Sequence, residues 1–189
     1  MHLVLYNFGI PKESFTAPGF EGFLLREAFN FEAASRAHGF RGRSGYKDEP
    51  GPDSWGEQVF PRFIRETGFE AGTSSLSRWR DIESLMAFSY SGVHADALKH
   101  ARNWMGPRSW PPLVLWWVAE DEAVSWADAV RRLEYLHDHG PSAHAFHFKT
   151  PFGPDGEAYE IDRSLVRAIA ARNAPAQADL MEAVGRLKI

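Results

Sequence analysis

The chain opens with apolar and polar residues in alternation: residues 2–8 (HLVLYNF) set β-forming side chains on both parities, predicting a strand. A helical stretch is expected over 21–38, with Phe23, Leu24, Phe31 and Ala34 on one side and Gly39 as its stop. Residues 40–46 read as a second strand, with Phe40, Gly42, Ser44 and Tyr46 on one face and Arg41 and Arg43 on the other. A Pro- and Gly-rich loop from Lys47 to Gln58 carries Trp55. Strands are predicted again at 59–66 and 73–79, the first confined to an edge or bulge by Pro61. Asp81 offers an N-cap to a helix over 82–104, with a possible break near Gly92.

Residues 113–118 (LVLWWV) are apolar on both parities, the mark of a strand buried on both faces. Ser125 and Asp128 form a Ser-x-x-Asp capping arrangement. Behind it, Trp126, Val130, Leu133 and His137 recur at helical spacing until Gly140-Pro141. A last strand is expected at 143–148, followed by helices at about 162–173 and 176–187, split before Pro175. The resulting order, β-α-β-β-α-β with additions, predicts an α+β fold with a ferredoxin-like antiparallel sheet and helices on one face. The expected organisation is one domain over 1–150 and a helical C-terminal extension over 151–189. A strand like 113–118 needs an apolar partner on its inner face, which a second copy of the sheet would supply, so a homodimer is expected.

Composition narrows the functional classes. The 189-residue chain has no cysteine, so disulfides, thiolate nucleophiles, Fe–S clusters and Cys-based zinc sites fall away. A net charge of −4 without a basic run argues against nucleic acid. No stretch approaches the roughly 20 apolar residues of a membrane span, and residues 1–7 lack the pattern of a signal peptide. A cytoplasmic location is the expectation. Seven Trp and fourteen Phe point to an apolar ligand cavity, a dimer interface, or both.

Several segments resemble domain-of-unknown-function family 3291 over roughly residues 1–150. They are Ser44-Gly45-Tyr46 with Pro50-Gly51-Pro52 and Ser54 to Gln58, the run Leu76 to His94, Trp104, Pro112 to Val118, and Glu134 to Pro141. The resemblance implies the dimeric α/β-barrel superfamily, which includes antibiotic-biosynthesis and haem-degrading monooxygenases. The shared element is Trp79 to Leu85, a strand end, an acidic residue and a helix. In the haem-degrading members an Asn on the first strand serves the cofactor with a Trp and a His on this helix. Asn7 matches the first, whereas Phe88 and Leu98 occupy the other two positions. Leu98 cannot ligate iron, so no cofactor is expected. Haem would require His94, one helical turn earlier, to take the axial role.

The resulting expectation is a small-molecule enzyme, monooxygenase-like and cofactor-independent, acting on an apolar ligand in the barrel. Asn7, Trp79, Tyr90 and His94 are its candidate catalytic residues, and Trp55, Phe88 and Trp117 its candidate substrate contacts. The alternative is a non-catalytic ligand-binding or structural dimeric module. Tyr90 and His94 would share a face if the turn joining them were helical. Trp116 and Trp117 must point to opposite faces. His137, His139, His144 and His147 cluster in sequence but diverge in direction, so no metal site is expected. His137 reads as a core histidine on the apolar stripe. Arg41 and Arg43 suit either a carboxylate or a solvated edge.

Overall fold

The computed structural model describes residues 1–187, which form two compact units interleaved along the chain. The first contains residues 1–10, 41–79 and 107–161; the second contains 11–40, 80–106 and 162 onward.

The first unit is built on a four-stranded antiparallel sheet of β1 (His2–Gly9), β2 (Phe40–Arg43), β3 (Thr73–Trp79) and β4 (Leu113–Val118), in the order β2-β3-β1-β4. Register sets Leu3 beside Trp79 and Asn7 beside Ser75 on one flank of β1, and Val4 beside Trp116 on the other. Side-chain alternation then separates two faces. One carries Val4, Tyr6, Phe8, Leu76, Val114, Trp116 and Val118; the other carries Leu3, Leu5, Asn7, Ser75, Trp79, Leu115 and Trp117. Trp116 and Trp117 do diverge.

The Tyr6 face holds the main core of this unit, and the helix α4 (Trp126–His139) packs on it through Trp126, Ala129, Val130, Leu133 and Leu136. Ser125 caps α4 by accepting from the Asp128 N–H, and Gly140 ends it at φ +78°, a conformation natural to glycine. The segment between β2 and β3 completes the cover with Tyr46, Trp55, Val59, Phe60 and Phe63. The apolar partner that strand 113–118 requires on this face therefore comes from the same chain.

Several expected elements differ. Residues 59–66 are not a strand: Arg62–Glu66 is a short 3-10 helix following Pro61. Pro61 has no N–H for a ladder, while its extended backbone (φ −60°, ψ 152°) suits the position before a helix. Residues 143–148 make a single bridge to the sheet, Phe146 with Leu115, because turns at 142–145 and 147–150 close on themselves by backbone hydrogen bonds. The second strand ends at Arg43 instead of Tyr46: the Ser44 N–H still reaches the Leu76 carbonyl of β3, but Gly45 turns to the following loop and donates to Asp53.

The second unit is helical: α1 (Glu21–Arg36), α2 (Ile82–Ser89), α3 (Gly92–Trp104), α5 (Arg163–Ala176) and α6 (Ala178–Gly185). Asp81 caps α2 by accepting from the Ser84 N–H at 2.7 Å. The expected helix over 82–104 divides at Gly92, whose φ of +56° no right-handed helix tolerates. Leu24, placed on the inner stripe of α1 by spacing, is exposed. Pro175 lies inside α5, and the turn comes two residues later at Gln177. α5 packs on α2 and α3, and α6 on α1 and α3. Buried polar groups fasten them: Glu83 accepts from the Asp162 N–H at 3.1 Å, Asn173 from His38 N–H at 2.9 Å, and Gln177 donates to the Ala33 carbonyl at 3.3 Å. No helix among the described residues is long and apolar enough to cross a membrane.

Candidate functional site

The residues singled out from sequence prove to be engaged locally. Asn7 Oδ1 accepts from both Ser75 N (2.7 Å) and Ser75 Oγ (3.2 Å), its neighbour in register. Trp79 is buried and donates its indole N–H to Ser77 Oγ at 3.0 Å. Trp79 pairs with Leu3, two same-face positions from Asn7, roughly 13 Å at strand rise. These two do not form one site.

The other pair is also split. Tyr90 follows the last residue of α2 and is 58% exposed, whereas His94 lies in the first turn of α3. The break at Gly92 removes the shared helical face. His94 Nδ1 lies 2.8 Å from the Ser89 carbonyl oxygen, and its ring packs on Phe88 at 4.9 Å. Burial lowers its pKa and the Ser89 carbonyl offsets this in part, so the neutral imidazole prevails. Leu98 is exposed on α3. Trp117 donates to the Phe152 carbonyl at 2.8 Å.

Among the described residues no group of three or more His, Asp or Glu side chains converges as a metal would require. His139 packs on Tyr135, His144 lies beside Arg132, and His147 Nδ1 accepts from Thr150 N–H. His137 packs on Phe63 at 4.8 Å but is not enclosed, so it borders the core instead of lying within it. It also meets Asp138, whose carboxyl is held at about 2 by hydrogen bonds from Arg62 and then His137. Arg43 donates to the Ser44 carbonyl.

A different cluster emerges on the Tyr6 face of the sheet, and of the candidate catalytic and substrate-contact residues only Trp55 borders it. Tyr6 Oη and the indole nitrogens of Trp110, Trp116 and Trp126 are all buried without a hydrogen-bond partner, and all four residues belong to one core. Most buried polar groups in proteins are satisfied, so four such donors in one cluster call for explanation.

Their surroundings are aromatic. Trp126 meets Tyr6 edge-on at 6.1 Å and 84°, and Tyr46 nearly parallel at 5.9 Å and 24°. Phe63 stacks on Trp110 at 5.3 Å, Phe8 lies 5.8 Å from the same ring, and the Arg132 guanidinium sits 5.1 Å from the Trp116 ring centre. Trp55 borders the cluster beneath the Arg78 guanidinium, at 5.1 Å. The polar margin is ordered by Ser74: its hydroxyl accepts from Gln58 Nε2 at 2.9 Å, and its carbonyl from Tyr46 Oη at 2.7 Å. Glu134 accepts from the Arg62 N–H at 2.6 Å. Burial pushes the Tyr6 hydroxyl pKa well up, with Ser74 opposing and Glu134 and Tyr46 adding to the rise.

The signal that could have drawn attention to this cluster was parity. Tyr6 and Asn7 adjoin on β1 and therefore face opposite sides, and Tyr6 shares its side with Trp116. The apolar stripe of α4 headed by Trp126 had only to be set against that side.

Comparison with known protein families places the chain: the model of the domain of unknown function DUF3291 matches residues 2–162, and the chain belongs to that family. The match takes in the whole sheet unit and stops one residue before α5. No curated protein matches the chain. No solved structure does either.

Proposed function

We propose that this protein binds a small, largely apolar molecule against the Tyr6 face of its sheet, under α4 and the segment between β2 and β3. The observation that carries this reading is the cluster of four buried donors without acceptors among aromatic rings. A ligand with an apolar frame and acceptor atoms would satisfy the donors and the rings together. Tyr6, whose hydroxyl pKa burial raises, keeps its proton at neutral pH and is available as a donor. The segment after β2 is rich in glycine and proline, and Gly51 and Gly56 adopt positive φ. Its displacement is the route by which a ligand would enter.

The ferredoxin-like strand order supports kinship with the dimeric-barrel superfamily suggested by sequence. A sheet-to-sheet homodimer would have to form without the Tyr6 face, which α4 occupies. The monooxygenase-like alternative would use this same aromatic site, with the substrate itself supplying the electrons.

The seven tryptophans provide the test. In ¹⁵N-detected spectra, bicyclic fragments that raise the melting temperature should move the indole signals of Trp110, Trp116 and Trp126. The signals of Trp104, in the helical unit, should stay in place. Fragments that shift Trp104 alone, or no stabilising fragment from a broad set, would refute the reading.

A further inference from the structure

Around Tyr6 the hydrogen-bonding capacity of the protein is already committed. Gln58 donates to the Ser74 hydroxyl oxygen, and Tyr46 donates to the Ser74 carbonyl. The Ser74 side chain acts on the phenol and opposes the rise in its pKa, while Tyr6 Oη itself has no hydrogen-bond partner. With its oxygen occupied by Gln58, Ser74 offers the phenol a hydrogen more readily than an acceptor. The Tyr6 proton is then left for something else.

From this arrangement, and resting on the binding reading above, we propose that Tyr6 Oη is the specificity donor of the site. It would give a hydrogen bond to a carbonyl-type oxygen on a neutral, flat ligand, with Ser74 and Gln58 as positioning residues. A flat frame suits this aromatic lining, in which Trp126 meets Tyr6 edge-on and Tyr46 nearly parallel. The unused Trp126 N–H supplies a second donor to the same ligand. Neutrality follows from enclosure: Tyr6 is fully buried within an aromatic and aliphatic core, where an anionic oxygen would be costly to desolvate. A carbonyl meets both conditions, since it accepts without carrying charge. A carboxylate or phenolate would meet only the first.

The test uses two probes of one frame, 1-tetralone and tetralin, which differ by a single carbonyl, with binding to the full chain measured by calorimetry. The wild-type protein should prefer the ketone by about five- to tenfold, the range of one neutral hydrogen bond. Tyr6→Phe should bind the two alike. Gln58→Ala should reduce the ketone preference by about two- to threefold. The corresponding carboxylic acid, ionised at neutral pH, should bind wild type more weakly than the ketone, a measurement independent of any variant. Equal wild-type affinities for ketone and hydrocarbon, a preference that survives Tyr6→Phe, or tighter binding of the acid would overturn the proposal and leave the apolar site standing. If neither probe binds, the site and the proposal fall together.

Discussion

In the helical unit, the guanidinium of Arg26 is almost wholly enclosed between α1 and α3. It donates to Asp96 at 3.1 Å and to the Gly22 carbonyl at 3.1 Å, and lies 5.4 Å from the Trp104 ring centre. In the sheet unit, Trp126 is fully enclosed with its indole N–H bonded to nothing. At these two places a buried charge has its hydrogen bonds closed and a buried neutral donor has its own left open, although the helical unit also leaves Asn30 Oδ1 and Asn173 Nδ2 without a partner. A polar group that is satisfied inside the chain serves the fold. One left unsatisfied lowers stability, so the four donors of the sheet unit carry a cost that a bound acceptor would relieve.

The largest expected effect tests whether Trp126 carries core packing apart from its N–H. Trp126→Ala should destabilise the protein by about 3–5 kcal/mol in chemical denaturation, mostly through lost burial. Trp126→Phe should cost well under half of that, because no hydrogen bond is lost with the indole. Next comes Arg26→Ala, expected at about 2–3 kcal/mol, below the range for a fully buried pair because Asp96 keeps some contact with water. If Trp126→Phe proved costlier than Arg26→Ala, the contrast between the units would collapse.

Tyr6→Phe sharpens the comparison from the other side. In the absence of ligand it should leave stability unchanged within about 0.5 kcal/mol or raise it slightly, since a buried hydroxyl without a partner is removed. A loss near 2 kcal/mol would show that Tyr6 is hydrogen-bonded after all. The smallest effect is a pH dependence in the helical unit. Burial depresses the pKa of His94 in the folded chain, so the unfolded chain binds the proton more readily. The stability tied to this group is complete above its ordinary value, near 6.5, and is lost as pH falls below it. Melting temperatures of wild type and His94→Gln should diverge on acidification, with wild type falling faster.

Much of the fold was legible because caps and parity are local. Ser125 and Asp81 cap where their hydroxyl and carboxylate spacing indicated, and alternation along β4 set Trp116 and Trp117 on opposite faces, as the register places them. Residues 59–66 misled because a run of apolar residues beginning with Val59-Phe60 resembles an edge strand and a short 3-10 turn equally. The intended site was less legible. Asn7, Trp79 and His94 carry the right functional groups, but a sequence does not reveal that Ser75, Ser77 and Ser89 already occupy them. Tyr6 was passed over for the converse reason: its significance lies in a missing partner.

The interleaving of the two units also bears on how the chain is made. Residues 1–161 contain every part of the sheet unit, whereas the helical unit draws its remaining helices from residues 162 onward. During synthesis the sheet can therefore assemble around Trp126 and Trp116 while α1, α2 and α3 still lack α5 and α6. In that interval Glu83, buried in the finished molecule, has yet to receive the Asp162 N–H, and the Ala33 carbonyl waits for Gln177. The nascent chain thus carries a half-built helical surface beyond the point where its family's shared pattern ends, which is the stage at which chaperone capture would matter most.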